Sequence, residues 1–352
     1  MRITGGGRFG ALLGSAALPS GDVRRDAADT RGGSVPDAPL ALTVRPLGGP
    51  EELDLFRQLP YVLDHELEDD LATGRRRPEW MWVALRGERV VARIAWWSRD
   101  GGKPLLLDFF DLDDTLPGPE REEAGLRLVE AATAAVVPAG TPRPEYGRFV
   151  PADWREDPAV RDAVEARIRV MERTGARMLV ERLRLEWRRG TPVPADSGRL
   201  RFRPVAGRED LLALMTPVME GTLDAHGRED LAAGLTPRQA AEKHYDEELA
   251  GYATPREWWR VAELPDGEPV GFVIPARNDY NPIIAYIGVL PAHRGHGHID
   301  DILAEGTRML AAQVGVERVR AATDLGNVPM AKAFERLGYV NFERAFDMVW
   351  DD

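Results

Sequence analysis

A mixed α/β sheet built twice in tandem is the fold this sequence predicts. Three observations carry the prediction: a diverged internal repeat, an alternation of strand-like and helix-like segments within each copy, and a proline- and glycine-rich break between the copies. The repeat shows in three matches that recur in the same order. Val44-Arg45-Pro46-Leu47 followed by Glu51-Glu52-Leu53 lines up with Phe202-Arg203-Pro204-Val205 followed by Glu209-Asp210-Leu211. In both, a short strand meets a proline, which removes a ladder donor, and a helix follows. Glu79-Trp80, Val83-Ala84, Gly87-Glu88 and Val90 correspond to Glu257-Trp258, Val261-Ala262, Gly267-Glu268 and Val270. Each set reads as a hairpin, turning at Gly87 or at Asp266-Gly267. Glu172-Arg173-Thr174-Gly175 matches Glu335-Arg336-Leu337-Gly338, each a helix ending at glycine before another strand.

The segment Gly190 to Gly198 places the boundary. The expected organisation is a Gly-, Arg- and Asp-rich disordered leader over residues 1–38, a first copy over 39–190, a linker over 191–198 and a second copy over 199–352. Each copy is expected to run strand, helices, hairpin, further strand, helix, strand, helix and closing strand, giving a mixed sheet with helices packed on it.

Composition narrows the function. Forty-six Lys and Arg against 58 Asp and Glu leave a formal charge of −12, a field that repels phosphate backbones and anionic lipid surfaces. Nucleic acid and membrane are therefore not expected partners, and a cationic or amine acceptor suits the field better. The absence of cysteine excludes disulfides, thiolate metal ligands and an acyl-cysteine intermediate. No apolar stretch approaches the roughly 18 residues of a membrane-spanning helix. The segment Phe9 to Pro19 is too glycine-rich for a signal-peptide core, so the cytoplasm is the expected location.

The chemistry should lie where the copies differ. In the second, a strand expected over Ile283 to Leu290 runs into Pro291-Ala292-His293-Arg294-Gly295-His296-Gly297-His298-Ile299, and an amphipathic helix follows through Ile302, Leu303, Gly306 and Leu310. A strand, a glycine loop and a helix N-terminus make an anion site, because successive N–H groups converge and the helix dipole adds positive charge. In the first copy the equivalent strand, Leu105 to Leu112, is followed by Asp113-Asp114-Thr115-Leu116-Pro117-Gly118-Pro119-Glu120. Those carboxylates repel a diphosphate and the prolines remove backbone donors, so the first copy is expected to be degenerate.

On these residues the chain resembles the GNAT acetyltransferase superfamily. Its signature is Gln or Arg, two residues, Gly, one residue, then Gly or Ala; Arg294 and Gly297 fit, and Ile299 departs. The approach Val289-x-Pro291, and downstream Thr323, Asn327, Met330, Ala331 and Phe334-Glu335-Arg336-Leu337-Gly338-Tyr339, are similar to further family positions. The pairing of a degenerate half with a working one resembles the tandem members of the mycothiol-synthase type.

The resemblance implies an acyl-CoA-dependent N-acyltransferase, using acetyl-CoA or another acyl-CoA as co-substrate and no metal, and acting on an amine of a small molecule, amino acid or peptide. Gly295, His296, Gly297, His298, Ile299 and Asp300 would hold the diphosphate through main-chain N–H groups, with Arg294 as the cation. Ile287, Gly288 and Val289 would pair with pantetheine amides, an N–H near Val289 or Leu290 would bind the oxyanion, and Asn327 either contacts the cofactor or caps a helix. Phe334 stands where many relatives carry the tyrosine acid, so Tyr286 or Tyr339 becomes the candidate acid, while Glu220, Asp224, His226, Asp279 and Tyr280 are candidate bases. His293, His296 and His298 lack a carboxylate or cysteine at a ligand spacing, so no metal is expected there. The alternative is a non-catalytic acyl-CoA-binding or partner-binding module.

Overall fold

The computed structural model describes residues 41–278 and 280–351; the expected leader over residues 1–38 and Asp279 lie outside them. The first half contains β1 (Leu42–Pro46), β2 (Met81–Arg86), β3 (Arg89–Trp97), β4 (Leu106–Leu112), α1 (Gly118–Val136), β5 (Glu145–Pro151), α2 (Pro158–Arg173) and β6 (Arg177–Arg188). The second contains β7 (Arg201–Pro204), α3 (Arg208–Met219), α4 (Ala225–Ala232), α5 (Pro237–Glu247), β8 (Arg260–Glu263), β9 (Pro269–Arg277), β10 (Pro282–Val289), α6 (His298–Ala311), β11 (Arg318–Asp324), α7 (Val328–Arg336) and β12 (Val340–Val349). The two hairpins turn at Gly87 and Gly267, whose φ values of 61° and 93° suit glycine.

All twelve strands join one sheet in the order β1-β2-β3-β4-β5-β12-β6-β11-β10-β9-β8-β7. The two closing strands are exchanged: β12 pairs with β5, Phe346 opposite Arg148, while β6 pairs with β11, Leu185 opposite Ala321. The cores confirm the exchange. Phe346 and Met348 of β12 pack with α1 and α2 against the first half's strands, and Leu185 and Trp187 of β6 pack with α6 and α7 in the second half. The opposite faces are covered by the short helices around Phe56 in the first half and by α3 and α5 in the second. The two halves also repeat a helix-to-sheet contact that leaves no room for a side chain. A Cβ at Gly125 would lie 2.6 Å from Leu112, and one at Gly306 would lie 2.7 Å from Val273. Two halves of the same α/β pattern thus share one mixed sheet.

Each half contains a parallel strand pair that touches at only one end. β4 and β5 are in register at Leu106–Glu145 and Leu107–Tyr146, and β10 and β11 only at Ile283–Arg320. Beyond those positions the strands splay apart, and the contents of the two wedges set the halves apart.

Candidate active site

In the second half the wedge opens into a cavity of about 640 Å³. One wall is β10 from Ile284 to Val289. Leu290 spends its N–H on the carbonyl of Val270 in β9, at 2.8 Å. Because successive residues of a strand face opposite edges, Ile287 and Val289 direct their N–H and C=O groups to the unpaired edge. Leu290 is therefore unavailable as an oxyanion donor, and Val289 is the one on the cavity side.

The loop between β10 and α6 closes one end of the cavity. Gly295 and Gly297 adopt φ values of 81° and 75°, and a Cβ at either would meet nothing within 4 Å. Among the described residues, no backbone carbonyl accepts from the N–H of Gly295, His296, Gly297, His298 or Ile299. Positive φ at both glycines is what turns these donors toward one region at the start of α6. Asp300 is different: its N–H bonds the Gly297 carbonyl at 3.2 Å and its carboxylate pairs with Arg336 at 2.6 Å. The Arg294 guanidinium sits at the mouth on the carbonyls of Val218 (3.1 Å), Glu220 (3.2 Å) and Val289 (3.3 Å), tying the loop to the end of α3. Asn327 lines the cavity and also caps α7, accepting from the N–H of Met330 at 3.4 Å.

The candidate acids and bases separate. Tyr286 lines the cavity, packed against His244 (4.5 Å between ring centroids) and Phe272 (5.2 Å). Burial and the charges of Asp224 and Glu248 push its phenol up from its ordinary value, so it stays protonated and can donate. Tyr339 is buried outside the cavity with its hydroxyl on Thr307 at 2.8 Å, and Phe334, its edge-to-face neighbour, lines the cavity. Glu220 is exposed and its side chain is not part of the lining. Tyr280 is exposed and likewise outside the lining. His293 pairs with Glu268 at 3.2 Å and His296 stacks on His298, so the loop histidines do not converge on a common point with a carboxylate.

The far end of the cavity is built by residues that the sequence reading did not place together. Glu145 of β5, Arg182 of β6 and Asp347 of β12 meet Asp224 and His226 of the α3–α4 region and Asp324 at the end of β11. Arg182 bonds Asp224 and Asp324 at 2.9 Å each and approaches His226 Nδ1 at 3.3 Å; His226 Nε2 lies 3.1 Å from Glu145 and 3.8 Å from Asp347. Asp324 also accepts from the N–H of Ala225 at 2.6 Å. Burial opposes charging His226, but Glu145 outweighs it and the imidazole pKa rises to about 9. Burial would lift Asp224 too, but Arg182 and His226 hold it below the ordinary carboxylate range. No guanidinium of the described residues lies within ion-pair distance of Asp347, and burial with the Glu145 charge pushes it up to about 7 against the opposing charges of His226 and Arg182.

Residues 199–340 match the family model of the acetyltransferase (GNAT) domain. This half of the chain belongs to the GNAT family. A GCN5-related N-acetyltransferase from Sphaerobacter thermophilus has a similar structure, with a TM-score of 0.54 at 16% identity over 87% of this chain and 94% of that one. A glucosamine N-acetyltransferase region in a fungal multi-domain β-N-acetylglucosaminidase gives a TM-score of 0.51 at 14% identity over 88% of this chain and 38% of that one. A tandem GNAT protein of the clavulanic acid biosynthesis pathway gives 0.47 at 17% identity over 88% and 98%. At these identities the likeness is one of fold. No curated protein is close enough in sequence to count as a relative. The GNAT fold is in general an acyl-CoA-dependent acyltransferase fold, and among the described residues no helix is long and apolar enough to cross a membrane.

Proposed function

We propose that the second GNAT half transfers an acyl group, in the first instance acetyl from acetyl-CoA, directly to an amine. The observation that carries this is the pairing of the uncommitted N–H groups of the Gly295–Ile299 loop, whose Gly295, Gly297, His298 and Ile299 line the cavity, with the unpaired edge of β10 on the same cavity. The donors fit a diphosphate: the glycines leave room for close approach, and the start of α6 adds its dipole. The β10 edge fits an extended chain with amide groups, which Ile287 would bond as a neighbouring strand does, leaving the Val289 N–H for the acyl oxygen while Arg294 holds the Val289 carbonyl. A CoA thioester supplies an activated acyl carbon.

The protein's own contributions follow from position. Val289 offers an N–H where negative charge develops on the acyl oxygen. Holding acceptor and thioester in one cavity supplies much of the rate. Tyr286, kept protonated, donates to the departing thiolate in the role that Phe334 cannot fill. Calorimetry with CoA on the full chain, run with a thiol-release assay across an amine library, tests the reading. CoA binding with amine-dependent thiol release is expected; no CoA binding would overturn it, and binding without turnover would favour a non-catalytic acyl-CoA-binding protein. Tyr286→Phe should lower kcat by ~100-fold or more with CoA affinity unchanged, the scale of a lost general acid.

A further inference from the structure

Two carboxylates stand where a diphosphate cradle should hold none. Asp300 and Asp301 occupy the first turn of α6, directly after the uncommitted N–H groups of the glycine loop. An acidic side chain at a helix N-terminus complements the dipole of the empty helix, and by the same field it competes with any anion brought to that end. Each carboxylate is held by a guanidinium from outside the loop. Asp300 takes two bonds from Arg336 at the end of α7, at 2.6 and 2.9 Å. Asp301, whose side chain is only 15% exposed, pairs with Arg199 and accepts from the Ser197 hydroxyl at 2.8 Å. The Arg199 guanidinium also lies 3.5 Å from the carbonyl of Gly297, the residue that caps α6. Ser197 and Arg199 come from the segment that joins the two halves, and this segment is docked rather than free. Its Pro194 carbonyl accepts from Arg308 of α6 at 3.1 Å, and Val193 packs on the core of the second half. His298, which lines the cavity, feels both members of the pair: burial and then the Arg199 charge lower its pKa, and Asp301 raises it.

We propose that Arg199 is a positioning residue for the coenzyme: by holding Asp301, it keeps the start of α6 open to a diphosphate and makes the joining segment a working part of the CoA site. The inference rests on the acyl-transfer reading. Arg199 acts through Asp301 and not by touching the coenzyme. Its charge cancels that of the carboxylate, so the N–H groups and the helix dipole are left for the ligand. Arg336 does the same for Asp300 from the other side of the helix start. An exposed ion pair adds little to stability, so the value of this one lies in the field it leaves at the loop.

Calorimetry on the full chain with CoA and with inorganic pyrophosphate, at low and at high salt, tests the proposal. Arg199→Gln should weaken both ligands ~3- to 10-fold at low salt, and less at high salt, where the bared Asp301 is screened. In an Asp301→Asn background the same change should cost less than about twofold, because no carboxylate is left to neutralise. Asp301→Asn alone should bind at least as tightly as the parent chain, and Arg127→Gln on α1, which pairs with Glu123 far from the loop, should change nothing. No loss in Arg199→Gln would overturn the proposal. An equal loss in both backgrounds would overturn it too, since Arg199 would then grip the ligand itself. A parent chain that binds pyrophosphate and not CoA sinks acyl transfer alone, with the cycle still read on pyrophosphate; one that binds neither sinks both.

Discussion

The two halves build the same wedge and fill it differently. In the first, Arg148 of β5 reaches across to β4 and donates to the carbonyl of Phe110 (2.9 Å) and to Asp111 (2.8 Å), while Arg167 of α2 donates to the carbonyl of Leu112 (3.2 Å) and pairs with Asp114. The two carbonyls are edge groups of β4; on β10, the counterpart strand, Arg294 takes the Val289 carbonyl and no strand pairs with the edge at Ile287. Arg93 adds a further bond to Asp111 at 2.8 Å, and the Arg148 guanidinium lies 4.3 Å from the Tyr61 ring centroid. Burial alone would lift Asp111, but Arg148, Arg93 and Arg167 hold it ionised. In the first half guanidinium groups occupy the strand edge, and Pro117 and Pro119 remove donors from the loop that follows it. An edge must be satisfied by something, and in the first half two side chains do it, Arg148 on β5 and Arg167 on α2.

The largest expected effect comes from emptying the filled wedge. Arg148→Leu strands Asp111 beside one fewer cation and leaves the Phe110 carbonyl unbonded, so urea unfolding should show a loss of ~3–5 kcal/mol, the cost of breaking a buried pair by removing one partner. CoA affinity of the folded variant should stay within about twofold, since no contact of the second half's loop is touched. A gain of a second CoA site would break the comparison, because it would mean that the arginines alone keep the first half closed.

Asp347 offers the converse test. Its pKa of about 7 lies above the ordinary carboxylate value, so the folded state holds a proton that the unfolded state has released. Stability should therefore fall as pH rises from about 4 to about 7 on account of this group. Asp347→Asn removes that cost; its stability relative to the parent chain should improve across the same range, by ~1–4 kcal/mol at neutral pH. Denaturation curves at pH 4.5 and 7.5 read this directly, and an unchanged difference between the two pH values would show that the seam is balanced after all. Gly297→Ala is a smaller perturbation: an alanine at φ 75° costs ~1–2 kcal/mol, and a loop that relaxes to avoid that cost should weaken CoA ~10-fold by calorimetry.

Much of the fold was legible because it was written twice. Gly87 and Gly267, Gly175 and Gly338, and the strand-loop-helix around Gly295 all lie where the local pattern puts them. The exchange of β6 and β12 was not legible, since a closing strand has the same pattern whichever sheet receives it. That exchange hid half of the far end of the cavity. β6 alternates Arg182, Arg184 and Glu186 with Leu183, Leu185 and Trp187, which reads as one solvated face and one core face. In the structure Arg184 and Glu186 are buried, at 1% and 3% exposure, because the charged face lies against Glu343 of β12 and Arg320 of β11. Asp224 and His226 are already candidate bases in the sequence; Asp347, a carboxylate inside Ala345-Phe346-Asp347-Met348-Val349, points to a site only once Glu145 and His226 are beside it.

The smallest expected effect bears on how the loop of the second half works. If the cradle were a side-chain device, protonated histidines would grip the diphosphate and affinity would fall as pH rose through their pKa. Two loop histidines line the cavity, His293, which pairs with Glu268, and His298 beside the helix start, whose pKa burial lowers with Arg199 nearby. His298 is therefore neutral at and above neutral pH, and binding there is left to N–H groups that do not titrate. CoA dissociation constants measured at pH 7 and pH 8 should agree within about twofold. A tenfold weakening would move the grip from backbone to imidazole. The difference between the halves would then be one of residue type at the loop, which substitution could transfer, rather than of main-chain geometry, which it could not.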